Sequence, residues 1–179
     1  NCCTQAPPTS SVKTGAVSTC VGETLELQAQ SPSGTGPFVY QWYKGSTRLT
    51  NETGEELIIN TNAAATTANY SVSITSSGTC TDESDKSDPI SITINDVPTG
   101  SITIDDTEIC DDGSTTVTLS ASGGTGPYDY TWTEGVTPNN EDDIVGDHTI
   151  TASAEQTYTL TGVTDANDCA ATDLGTPNS

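Results

Sequence analysis

One nine-residue stretch occurs twice in this chain: Gly-Thr-Gly-Pro-Phe-Val-Tyr-Gln-Trp from Gly34 to Trp42, and Gly-Thr-Gly-Pro-Tyr-Asp-Tyr-Thr-Trp from Gly124 to Trp132. Each copy is a Gly/Pro turn followed by an alternating run. Side chains of a strand point to opposite faces with period two, so Phe38, Tyr40 and Trp42 fall on one face, as do Tyr128, Tyr130 and Trp132. Those six aromatics are core candidates. The landmarks around them keep one spacing: Cys20 to Cys110, Gly34 to Gly124, Tyr40 to Tyr130 and Trp42 to Trp132 are each 90 residues apart. Tyr70 to Tyr158 (88) and Cys80 to Cys169 (89) follow with small deletions. The chain is a tandem duplication of one domain.

Two domains of about ninety residues are each large enough for a core. Abundant Thr, Ser and Gly, with short apolar runs broken by turn residues, predict an all-β chain. The charge is lopsided: residues 1–97 hold all four cations against ten acids, whereas residues 98–179 hold fifteen acids and no cation. Nucleic acid is excluded as a partner for want of a basic footprint. No apolar run approaches the roughly 18 residues of a helical membrane span, so no membrane insertion is expected. Six cysteines in a β-rich chain, four of them placed by the repeat, read as disulfides and an oxidising compartment. Zinc is unsuited, since there is no Cys-x-x-Cys and His148 is the sole histidine.

In the first repeat, strands are expected over residues 23–30, 38–43 and 57–60, in the run through Tyr70, Val72 and Ile74, and over residues 89–95. The second repeat supplies matching pieces at Ile102 and Ile104, at Val117, Leu119 and Ala121, in the aromatic strand, over residues 149–152, and at Tyr158 and Leu160. Each is expected to be an Ig-like sandwich of about seven short strands. The expected divisions are an N-terminal strand or linker (1–8), a first domain (9–97) and a second domain (98–179), with a hinge at Asp96-Val97-Pro98. Cys20 precedes the first core strand and Cys80 follows the penultimate one, so Cys20–Cys80 and Cys110–Cys169 are the expected bonds. Each would close a loop of about sixty residues and contribute on the order of 4 kcal/mol.

Cys-Val-Gly-Glu-Thr-Leu-Glu-Leu at Cys20, the stretch at Gly124, and Thr-Tyr-Thr-Leu-Thr-Gly-Val-Thr-Asp-Ala-Asn-Asp-Cys at Thr157 carry a resemblance. Nearly the whole chain resembles the Ig-like and PKD-like repeats of large secreted surface proteins of Bacteroidota, including gliding-motility adhesins. The resemblance implies a β-sandwich, export to the cell surface and a structural or adhesive role, and no catalytic residues. The first repeat departs from the family pattern with Ser-Ser-Gly-Thr-Cys before Cys80, and the second has Asp168 where glycine is usual.

After Cys80 the first repeat makes a last strand, Ile90 to Ile94, whereas after Cys169 ten residues remain without one. The 90-residue register puts Asn1, Cys2, Cys3, Thr4 and Gln5 on Ser91 to Asn95, and Pro8 on Pro98. A sandwich short of a strand exposes unpaired backbone groups. Two readings suit this: a window from a longer array, or a subunit whose N-terminal strand completes the previous identical subunit, making a head-to-tail filament. Neighbouring Cys2 and Cys3 would face opposite ways in a strand. An intermolecular staple and a vicinal disulfide are both open to them.

Asp111, Asp112, Asp165 and Asp168 would be drawn together by a Cys110–Cys169 bond and are calcium candidates, against the alternative of a solvated acidic end. Glu141-Asp142-Asp143 with Asp147 is a weaker candidate in a loop. Asn51-Glu-Thr and Asn69-Tyr-Ser match the glycosylation sequon by composition. No nucleophile motif accompanies His148, which is expected on a strand surface, so no enzyme is expected. The leading function is an extracellular filament subunit closed by strand donation and hardened by disulfides. The alternatives are a stalk segment of a giant adhesin and a carbohydrate-binding module that would use Tyr43 or Trp42 toward a glycan or cell-surface ligand.

Overall fold

In the computed structural model the described residues are 9–14, 17–30, 37–62, 65–76, 83–110, 113–153 and 155–175, with the side chains of 9–14 and 76 left aside. Regular structure among them is entirely β. The chain divides into two units, Asn1–Ile94 and Asn95–Ser179.

In unit 1 the strands are β1 (Thr9–Thr14), β2 (Ser18–Cys20), β3 (Thr24–Gln30), β4 (Phe38–Lys44), β5 (Thr47–Arg48), β6 (Glu56–Asn60), β7 (Thr66–Ser76) and β8 (Ile90–Asn95). They form a three-stranded sheet, β1-β3-β6, and a five-stranded sheet, β2-β8-β7-β4-β5. The period-two pattern sets the register. Leu25, Leu27 and Ala29 of β3 point inward with Leu57 and Ile59 of β6, and meet Tyr40, Trp42, Val72, Ile74, Ile92 and Ile94 from the larger sheet in one core. Trp42 sits at its centre, fully buried, and its indole N–H donates to the Gly54 carbonyl at 3.0 Å.

Unit 2 repeats this plan with β9 (Thr99–Ile104), β10 (Thr115–Ser122), β11 (Tyr128–Glu134), β12 (Thr137–Ile144), β13 (His148–Ala152) and β14 (Tyr158–Asp165). Its sheets are β13-β10-β9 and β12-β11-β14. Val117, Leu119, Tyr130, Trp132, Leu160 and Val163 make the core. β1 and β9 begin 90 residues apart, as do β4 and β11, so the duplication in sequence is a duplication of strands. Gly100 lies where two core layers meet: a Cβ there would come within 2.8 Å of Val163 and 2.9 Å of Leu160.

The described residues give eight strands in the first unit and six in the second, around the expected seven. One expectation is corrected. The acids Glu141, Asp142 and Asp143 are on strand β12 rather than in a loop, because β12 is an edge held by backbone pairing to β11 and needs no apolar face.

Candidate functional site, a cleft at the sheet edge of the second unit

The two units differ at one edge. In unit 1 the opening half of β7 is paired by β8, with Tyr70 opposite Ile90, Ala68 opposite Ile92 and Thr66 opposite Ile94. β8 is flanked in turn by β2, and the Thr93 amide donates to the Val17 carbonyl at 2.8 Å. In unit 2 Tyr158 is the counterpart of Tyr70, yet β14 only begins there, and residues 155–157 are not in a strand. The counterpart of β2, residues 108–110, is not in a strand either. Among the described residues no counterpart of β8 joins the β12-β11-β14 sheet.

A cleft of about 450 Å³ lies at that place. One wall is Thr107, Glu108 and Ile109, the neighbourhood of the β2 counterpart; the other is Glu155, Gln156 and Tyr158, the counterpart of the β8-pairing half of β7. Its floor reaches the core at Ile104, Val117 and Ala152. The rim is acidic, with Asp106, Glu108 and Glu155. Burial raises the Tyr158 hydroxyl above its usual range, and the Glu134 charge adds to this.

The chain after Cys169 covers the other half of β14. Ala170 bridges Thr164, the Ala171 amide donates to Val163 at 2.8 Å, and the Asp173 carbonyl accepts from Gly100 at 2.8 Å. Unit 1 does the same with Glu83 beside Thr75 and the Ser84 amide on Ile74. These residues therefore repeat the segment that precedes β8, not β8 itself.

The cysteines correct one expected bond. Cys20 and Cys169 are both in disulfides, but Cys110 is free and exposed, so no Cys110–Cys169 bond exists. Cys20 is anchored in β2 against β8, whereas residues 108–110 have no such strand to hold Cys110 inward. Cys2, Cys3 and Cys80 lie outside the described residues, as does the whole Asn1–Gln5 segment.

Of the four calcium candidates, the structure describes Asp165 and Asp168. Asp111 and Asp112 lie outside the described residues, and among the described ones no three His, Cys, Asp or Glu side chains could hold a metal. Asp165 is buried with its oxygens committed to backbone: Oδ2 accepts from Thr125 at 2.8 Å, and Oδ1 from Asn167 and Cys169 at 2.9 Å each. It ties the loop before Cys169 to the Gly-Thr-Gly-Pro turn. Asp168 is exposed with φ 60°, in the left-handed region where glycine is favoured, which accounts for the glycine usual at that position.

Of the aromatics offered for glycan binding, Trp42 and Tyr43 are both buried. The Tyr43 hydroxyl donates to Glu83, as does Ser73, and the Lys86 ammonium sits 3.7 Å from the Tyr43 ring centroid. Those two hydrogen bonds hold the Glu83 carboxyl below the usual carboxylate range. His148 is half-buried rather than on the surface, its ring 5.0 Å from Trp132 and 6.5 Å from Tyr130. Tyr40, Tyr130 and Trp132 are buried, with Phe38 and Tyr128 packed at the core margins.

Residues 7–95 match the family described as "Ig-like domain CHU_C associated". The first unit belongs to this Bacteroidota-type Ig-like family. The second Ig-like unit follows from it by the 90-residue repeat. Among solved structures, the fibronectin(III)-like modules of Clostridium thermocellum CbhA align at 14% identity and TM-score 0.47, covering 91% of this chain and 89% of that one. The mouse nectin-like molecule 4 ectodomain aligns at 15% and 0.42, covering 93% and 62%. The three N-terminal domains of the bacteriophage RB49 outer capsid protein Hoc align at 15% and 0.44, covering 93% and 56%. No curated protein matches the chain. Ig-like units of this family are typical of secreted surface proteins and generally structural, and no helix among the described residues is long and apolar enough to cross a membrane. The chain is consistent with a repeat or stalk segment of a surface protein.

Proposed function

We propose that the chain is a structural subunit of an extracellular filament or cell-surface fibre, built head to tail from identical copies by β-strand donation and reinforced by disulfides. The observation that carries this reading is the edge of unit 2, where the β8 that completes unit 1 has no counterpart among the described residues and a cleft reaches the core. An edge of this kind is a template for an added strand. A contact between unlike surfaces that does not close on itself propagates as a fibre. The reading involves no catalytic step and requires no cofactor; chelation of calcium is expected to leave the melting temperature unchanged.

The same edge also suits a stalk segment of a long adhesin, in which the next repeat of one polypeptide supplies the strand. Electron microscopy of the native material separates the two. A donated-strand fibre shows one subunit per two-unit repeat and breaks into chains of this length under reducing denaturation. A single very long polypeptide under those conditions overturns subunit assembly.

A further inference from the structure

Resting on the fibre reading above, we infer that the cleft of unit 2 receives Asn1–Gln5 of a second copy, in the register that β8 adopts in unit 1, with Cys2 and Thr4 turned into the core. The internal repeat supplies the template. β1 and β9 begin at Thr9 and Thr99, so the residues ahead of β1 have β8 as their counterpart, while unit 1 already holds its own β8. The chain thus carries a second β8-type segment and a unit whose β8 neighbours face a cleft.

The register assigns individual roles. Cys2 and Thr4 take the places of Ile92 and Ile94, which are 1% and 4% exposed in unit 1; Cys3 and Gln5 take those of Thr93 and Asn95, which are only partly covered. Cys2 comes opposite Gln156, the counterpart of Ala68. The Cys3 amide donates to the Thr107 carbonyl, as Thr93 does to Val17. No side chain of the donor segment is acidic, which suits an opening rimmed by Asp106, Glu108 and Glu155; a carboxylate carried inward would meet both those charges and an apolar floor.

The test uses the full chain with its disulfides intact and reads assembly by sedimentation velocity. Thr4→Asp is expected to abolish association, Gln5→Asp, with the same charge one residue on, to leave it largely intact, and Thr4→Ile to tighten it roughly tenfold by burying more hydrocarbon. Equal effects of the two aspartates overturn the register. Hydrogen exchange supplies the second measurement, with a synthetic peptide of the β8 sequence Ile90–Asn95 and one of Asn1–Gln5 added to the chain. Both peptides are expected to slow exchange at residues 107–109 and 155–158. Polymers that form while these amides exchange freely overturn the cleft as acceptor and leave the fibre reading standing. Protection by the β8 peptide with no assembly at any concentration keeps the acceptor cleft, and overturns both the second copy as donor and the fibre reading.

Discussion

At the residue scale, the carboxylates show how a side chain's neighbours decide its task. Glu83 accepts hydrogen bonds from Ser73 and Tyr43, and both favour its charged form, lowering its pKa from the ordinary 4.5. The folded pKa is depressed, so its stabilising contribution is present above the unfolded value and is lost as pH falls through the folded one. Tyr43→Phe is expected to move the Glu83 titration back toward 4.5 and to shift the acid limb of unit 1 unfolding to higher pH; carbon-detected NMR titration measures the first, thermal melts at stepped pH the second. Asp165 holds three backbone N–H groups, and Asp165→Ala is expected to cost unit 2 on the order of 2–3 kcal/mol, read by denaturant unfolding. The sequence suggested a cation for that aspartate because it shows charge and not the amides that surround it. The spacing Asp-Ala-Asn before Cys169 is nonetheless a side-chain-to-backbone turn signal, and read as such it would have pointed to the loop-tying role.

At the scale of elements, legibility followed the apolar face. β3, β8, β10 and β11 were readable because each buries alternate residues, and period two leaves one register that does so; β4 was readable from its alternating aromatics, although Tyr40, Gln41, Trp42 and Tyr43 are all buried. β1, with the sequence Thr-Ser-Ser-Val-Lys-Thr, and β12, with Thr-Pro-Asn-Asn-Glu-Asp-Asp-Ile, carry no such pattern, since backbone pairing to a single neighbour holds them. The expected Cys110 bond failed for a related reason: repeat spacing located the cysteine, but residues 108–110 lack the strand context of β2. β8 is therefore a sensitive element in unit 1. Ile92→Ala, at a position 1% exposed, is expected to cost about 2–5 kcal/mol, while Ile109→Ala on the cleft wall of unit 2 costs less than about 1 kcal/mol in the free chain. Paired denaturant curves measure both. A large cost at Ile109 without any donor present would mean that the cleft is already packed.

At the scale of the whole molecule, charge is distributed as unevenly as strands. Asn1–Ile94 holds nine acids and four cations, a net of −5, and Asn95–Ser179 holds sixteen acids and no cation, giving −16 and together the −21 of the chain. A unit with that excess destabilises its own folded state by self-repulsion, and screening relieves it, since the Debye length falls from about 30 Å at 0.01 M salt to about 8 Å at 0.15 M. Unit 2 is therefore expected to gain melting temperature with salt while unit 1 gains little, as two-transition calorimetry across a salt series would record. The same repulsion opposes joining one copy to another. Assembly is expected to strengthen with added sodium chloride, opposite to the weakening seen when unlike charges drive binding. Assembly that weakened with salt would place charge attraction, rather than strand pairing and apolar burial, at the junction between copies.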